Sequence, residues 1–387
     1  MNILELVKFP EVLWYSSIAT TVLPSAMKGF EFLKMKNRVL ALASILFLTF
    51  TIMPHAQANS IFTSSERVIY FLDVSDSADS QKLWTLLRAS LLEKVDVALG
   101  FPKKPGIVTP VKPTDLSVSV INDNSQAAQI VEVLSVKDAE KIWGLIITKI
   151  GGGNPTAARL KAITADFFGP TGTYTVLVAE YALQDEITTP STVDCQKRAN
   201  SEFSKGNFMK NVPAALRSDA SKETCKIITK LLTGIKSADE LFKTNACAKN
   251  AACSDVVGAV KRTVAVAADL ARTSTPKSVP KLCIAIASDM LNAYPGMSAT
   301  SAWNTSNVLR KSSSNSGAEA LGRQVAEEAS IKFSSKVNLR VEVIGQGASQ
   351  GFPRELTSKL DSYWGGFWSA AGVKSSAQRA SLDQACK

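Results

Sequence analysis

The sequence predicts an α/β fold, a doubly wound, mostly parallel sheet flanked by helices, with a helical, cysteine-containing insertion. Three observations carry that prediction. The apolar run at 68–72 reads as a buried parallel strand, and 116–121, the apolar 281–287 and 339–344 read as further strands. Segments with apolar residues at three-and-four spacing alternate with these runs. Between residues 188 and 252 the composition shifts to Lys, Ser and Asn and takes in Cys195, Cys225 and Cys247.

The amino-terminal part reads as a processing signal. Met35, Lys36, Asn37 and Arg38 form a short basic start, 39–53 is unbroken apolar sequence, and Pro54 precedes Ala56-Gln57-Ala58, a small-x-small cleavage pattern. That layout predicts a secretory signal peptide at 35–58 and an exported chain starting at Asn59 in the periplasm, at the cell surface or secreted. The apolar run is shorter than the ~20 residues that span a bilayer, so no transmembrane span is expected after cleavage. Residues 1–34 read as an overextended start or a long n-region.

The first strand run ends at Asp73. Leu83, Trp84, Leu86, Leu87, Leu91 and Leu92 then mark a helix. Residues 103–113 form a connector rich in proline and lysine, and 116–121 reads as a second strand. Helices are expected at 139–150 and 156–168, separated by Gly151-Gly152-Gly153-Asn154-Pro155, and a third strand at 174–179. This first part of the α/β domain covers 59–187, and the insertion 188–252. The second part covers 253–373: a helix at 256–271, a strand at 281–287, a polar loop at 296–317, a helix at 318–332, a strand at 339–344 and a helix at 355–371. Residues 374–387 are expected as a tail. Alternating strands and helices imply parallel pairing with helices on both faces.

Six cysteines, an even number in an exported chain, predict disulfides. None forms a C-x-x-C, which argues against a zinc ribbon or a thioredoxin-like site. The local candidates are Cys247 with Cys253 and Cys195 with Cys225.

The one histidine, His55, falls inside the signal segment. The mature chain therefore has no Ser-His-Asp triad, no Cys-His pair and no histidine-ligated metal. Removing residues 1–58 takes away five basic and three acidic residues and leaves a formal charge of +8. The basic residues are scattered and not interleaved with aromatics, so no specific nucleic-acid partner is expected. Trp364 and Trp368, at helical spacing beside Leu360 and Phe367, read as core rather than as a sugar platform.

Two strands end in acidic residues. The first gives Asp73-Val74-Ser75-Asp76-Ser77, a D-x-S-x-S pattern, and the strand at 281–287 is followed by Ser288-Asp289. In doubly wound sheets, ligands gather at the carboxyl ends of the strands, where these segments can converge. Their donors are hard oxygens, suited to Mg²⁺, Mn²⁺ or Ca²⁺ and not to zinc or copper. A lone D-x-S-x-S also fits a helix start, with Ser75 or Ser77 as the cap.

These residues resemble the von Willebrand factor type A family, over about 66–373. Its metal-ion-dependent adhesion site uses D-x-S-x-S after the first strand, a threonine from a middle loop and an aspartate after the fourth strand. Asp73, Ser75 and Ser77 match the first element, and Asp289 matches the aspartate, although Met290 stands where glycine is usual. Ser254-Asp255-Val256-Val257-Gly258-Ala259 is similar to the T-D-x-x-G-A turn of some members, with Ser254 replacing threonine, and Thr156 is the other candidate. The resemblance implies a metal held by Asp73, Ser75, Ser77, Ser254 and Asp289. It also implies a non-catalytic module that grips an acidic group on a protein or surface partner. Two other readings stand beside it. One is a metal-dependent phosphoesterase, although position 75 is not the second aspartate of a D-x-D. The other is a structural part of an envelope or secretion assembly with a vestigial metal site.

Overall fold

The computed structural model describes residues 66–75, 80–101, 113–182, 187–245, 247, 253–275, 278–298, 300–347 and 352–386. The expected signal peptide at 35–58, the upstream 1–34, Ser77 and most of the connector, 102–112, lie outside the described residues.

Six strands form one sheet in the order β3-β2-β1-β4-β5-β6. They are β1 (Glu66–Asp73), β2 (Thr114–Ile121), β3 (Val131–Leu134), β4 (Lys281–Ala287), β5 (Asn338–Ile344) and β6 (Ser375–Arg379). All neighbours pair in parallel except β2 with β3. The chain builds leftward from β1 to β2 and returns to β4 on the other side of β1. The order therefore reverses between β1 and β4, the place where doubly wound sheets bind ligands. The helices are α1 (Ser80–Ala98), α2 (Val136–Gly144), α3 (Ala157–Phe168), α4 (Thr173–Tyr181), α5 (Thr192–Lys205), α6 (Ala214–Thr244), α7 (Val256–Arg272), α8 (Thr305–Lys311), α9 (Asn315–Glu328) and α10 (Thr357–Ala371).

Strand side chains alternate between two cores, as the two-residue repeat requires. Val68, Tyr70 and Leu72 join the layer that holds Trp84, Leu87 and Leu91 of α1 and Ile228, Leu231 and Ile235 of α6. Ile69 and Phe71 join the opposite layer with Val260 of α7, Val325 of α9 and Trp364 and Phe367 of α10. Trp364 and Trp368 are buried, as their spacing implied.

The described residues of 188–252 carry α5 and α6, which are cross-linked by Cys195–Cys225. The long helix α6 lies against β2, β3 and α2 and shares their core. Lys230 of α6 reaches Glu132 of β3 at 2.7 Å and Asp138 of α2 at 2.6 Å, while Trp84 Nε1 of α1 donates to Asp239 of α6 at 2.8 Å.

Three expectations are corrected. Residues 174–179 are not a strand but the body of α4. Its buried Thr173, Tyr174, Leu177 and Val178 follow helical and not alternating spacing. The segment packs on α3, α5 and α6, where there is no sheet for a strand to join. The polar 296–317 stretch contains α8 and the start of α9. Residues 374–387 are not a tail: they supply the edge strand β6, and Cys386 closes the third disulfide, with Cys283 of β4. Cys247–Cys253 is the second. Three disulfides are consistent with an exported protein, and no helix among the described residues is long and apolar enough to cross a membrane.

Glu342 of β5 anchors the carboxyl-terminal segment. Its carboxylate is fully buried and accepts from Arg379 Nη2 of β6 and from the Cys386 N–H, both at 2.7 Å, and Arg340 Nε lies 3.2 Å away. Burial pushes its carboxyl up, but Arg379, the Cys386 N–H and Arg340 outweigh that and hold it below the usual carboxylate range. A depressed folded value means that this stability is present above the unfolded value and is lost as pH falls through the folded one. Glu342→Gln should lower stability at pH 7 by about 1–3 kcal/mol. In urea unfolding from pH 7 to pH 3, the wild-type and variant stabilities should converge towards the acid end; parallel curves would refute the assignment.

Candidate metal centre

β1 and β4 run side by side in register, with Leu72 opposite Ala287. The next residues, Asp73 and Ser288, therefore meet at the carboxyl edge. Ser288 Oγ donates to Asp73 Oδ2 at 2.6 Å. Asp73 is fully buried, and its Oδ1 accepts from the Ser75 N–H at 2.9 Å and from Ser254 Oγ at 3.0 Å. The Ser75 hydroxyl bonds to the same carboxylate. One buried carboxylate thus gathers hydroxyls from the β1 loop, the start of α7 and the end of β4.

Local chemistry places each donor. Ser254 forms a two-way backbone bridge with Ala293, at 2.7 and 3.0 Å. The next residue, Asp255, is the N-cap of α7 and accepts from the Gly258 N–H at 2.8 Å, as an aspartate cap should. A Cβ at position 258 would collide with the Asp255 carboxylate, so any other residue there requires the cap side chain to shift. The Asp255 N–H donates to the Asn122 carbonyl after β2 at 2.8 Å. Asn292, fully buried, accepts from the Val257 N–H at 3.0 Å and donates to the Trp303 carbonyl at 2.9 Å. It ties the loop after β4 to the start of α7.

The Ser288-Asp289 turn is equally fixed. The Ser288 N–H donates to Ile344 O at 3.0 Å, and Gly347 N–H to Asp289 O at 2.9 Å. Asp289 Oδ1 accepts from the Leu291 N–H at 2.9 Å. Met290, in the position where the adhesion motif has glycine, sits at φ 65° in the left-handed region. Its N–H donates to Ser288 Oγ at 2.9 Å, and its carbonyl accepts from Trp364 Nε1 at 3.0 Å.

The structure therefore brings Asp73, Ser75 and Ser254 together and places the buried Asp289 one residue beyond Ser288. Ser77 lies outside the described residues. Thr156, the alternative to Ser254, is instead the N-cap of α3 and accepts from the Arg159 N–H at 3.3 Å. Ser288 stood in the sequence beside Asp289 as a strand end and not as a donor. Its register opposite Asp73 is what gives it that role. Asn292 left no sequence signal.

Burial pushes the Asp73 carboxyl upward, and the hydrogen bonds from Ser288, Ser75 and Ser254 pull it only part of the way back. Among the described residues no lysine or arginine pairs with Asp73. A buried carboxylate facing hydroxyl oxygens, with a second carboxylate close by in the chain, fits a hard divalent cation, which would supply the missing positive charge. The only other cluster of ligand-type residues among those described, Cys283, Glu342 and Cys386, offers no such site. Both sulfurs are in a disulfide, and Glu342 is engaged by Arg379, Arg340 and a backbone N–H. No family model matches the sequence, and neither a curated protein nor a solved structure matches the chain.

Proposed function

We propose that the chain is an exported, non-catalytic binding module of the von Willebrand factor type A kind. It holds Mg²⁺, Mn²⁺ or Ca²⁺ and uses it to grip an acidic group on a protein or surface partner. Asp73, Ser75, Ser254 and Asp289 hold the ion together with Ser77, and Ser288 orients Asp73. The observation that carries the reading is the fully buried Asp73 carboxylate, which receives hydroxyls from three segments and has no basic partner among the described residues. Its place at the reversal of strand order supports the same reading. Hydroxyl ligands donate little negative charge, so an ion held this way retains affinity for an outside carboxylate. The three disulfides support the exported setting.

Divalent cation should raise the melting temperature, and EDTA should reverse the rise. At ten times the dissociation constant, linkage stabilises the fold by about 1.4 kcal/mol, which corresponds to roughly 3 °C for a domain of this size. A thermal-shift titration with MgCl₂, MnCl₂ and CaCl₂ that leaves the midpoint unmoved in all three salts would sink the metal proposal.

Asp73→Asn separates charge from shape. The serine hydroxyls can turn to donate to the amide oxygen or accept from its NH₂, so the network survives. A carboxyl raised in the folded state contributes most to stability below its unfolded value and loses that contribution as pH rises through the folded value. In EDTA at pH 7 the variant should therefore melt above the wild type, by about 2–4 °C per kcal/mol relieved, yet show no response to added cation. Calorimetry in both buffers checks the crossover; a variant that is destabilised in EDTA and still responds to cation contradicts it.

A further inference from the structure

We propose that a cavity between α3 and the start of α6 binds a small organic anion, a carboxylate or phosphate carried on an apolar body. The cavity has a volume of about 370 Å³, within the range of small-molecule sites, roughly 300–1,000 Å³. It uses none of the residues of the candidate metal centre.

Arg159 is the recognition group. Its Nη2 donates to the Ile150 carbonyl at 3.0 Å, and its guanidinium lies 5.3 Å from the centre of the Phe208 ring. Braced in this way, it meets no carboxylate at ion-pair distance among the described residues. An arginine held by a carbonyl and an aromatic face keeps N–H groups for a planar anion. Asn207 and Asn211 also line the cavity, and their side-chain amides make no hydrogen bond among the described residues. Phe208, Val212 and Leu216 supply the apolar wall.

The wall is built in advance. Asp166 of α3 accepts from the N–H groups of Asn207, Phe208 and Met209 at 3.1, 2.8 and 2.7 Å. Gly206 leaves room for that carboxylate, since a Cβ there would stand 2.5 Å from Asp166 Oδ2. The nearby carboxylates are thus occupied: Asp166 by three N–H groups, and Asp219 by Lys149 at 3.3 Å. With Lys149 paired to Asp219, the unpaired positive charge in the lining is that of Arg159, and it favours an anion.

The test uses the purified protein freed of divalent cations on a chelating resin, so that the metal reading does not enter and no chelator competes for the cavity. Saturation-transfer NMR titrations compare benzoate, phenyl phosphate, inorganic phosphate and benzyl alcohol. At least one aromatic anion should bind at least tenfold more tightly than benzyl alcohol, and phenyl phosphate more tightly than inorganic phosphate; the tighter of the two aromatic anions identifies the head group. Arg159→Gln should weaken binding at least tenfold, and Asn211→Asp, an exposed change that adds a negative charge to the lining, should do the same. Lys161→Gln, on α3 but outside the lining, should bind as the wild type does. Absent binding of both aromatic anions, equal binding of the alcohol, or undiminished binding by the two lining variants would overturn the proposal.

Discussion

A single buried carboxylate organises the carboxyl edge of this sheet. Asp73 closes β1 at the centre of the fold, where water is excluded, and an ionised carboxylate there is costly unless other groups solvate it. Hydroxyls do so here, and they come from segments far apart in sequence, Ser75, Ser254 and Ser288. Each is held by its own backbone device: the turn after β1, the Ser254–Ala293 bridge beside the Asp255 cap, and the register of β4 against β1 and β5. The loops that meet at the switch point are thereby fixed to one another, and Asn292 and Asn122 extend the tie to the start of α7 and the end of β2.

Glu342 shows how the same fold treats a carboxylate whose role is structural. It too is fully buried, but Arg379, Arg340 and the Cys386 N–H surround it, and its carboxyl is held below the usual range. Asp73 receives neutral donors, and its carboxyl is held above that range. A guanidinium in place of the hydroxyls would favour the ionised form of Asp73, as Arg379 and Arg340 favour that of Glu342. The absence of such a partner among the described residues leaves a site whose charge is open to a cation. On the proposed reading the cation fills that place, and the raised carboxyl of Asp73 at the sheet's switch point is what supports it.

The central strands were legible because burial on both faces writes itself as continuous apolar sequence. β1 and β4 show it, and the strand expected at 281–287 coincides with β4, while β2 and β5 alternate apolar residues with Ser117 and Ser119 or with Arg340 and Glu342. The edges were not. β3 has four residues, and β6 reads Ser-Ser-Ala-Gln-Arg, half exposed and without an apolar signal. α4 failed for the opposite reason: its β-branched and aromatic residues suit a strand locally, and packing against three helices decides otherwise. The site divides along the same boundary. Asp73, Ser75 and Ser254 could be picked out from short motifs, because each belongs to a turn or cap with its own local grammar. Ser288 and Asn292 act only through register and through-space contact, which no window of sequence contains.

Met290 bears on whether the departure from glycine after Asp289 undoes the turn. A non-glycine residue at φ 65° costs roughly 1–2 kcal/mol, so the conformation persists only where its surroundings impose it. Here they do. The Met290 side chain is fully buried in the core formed with α7 and α10, its N–H is taken by Ser288 and its carbonyl by Trp364. Burying a methionine side chain returns about 1.5–3 kcal/mol, enough to offset the backbone strain. Methionine therefore keeps the path that glycine would take without strain, and it adds a core anchor glycine lacks. The strain is stored beside Ser288 and Asp289, the two residues whose placement at the sheet edge depends most on that turn.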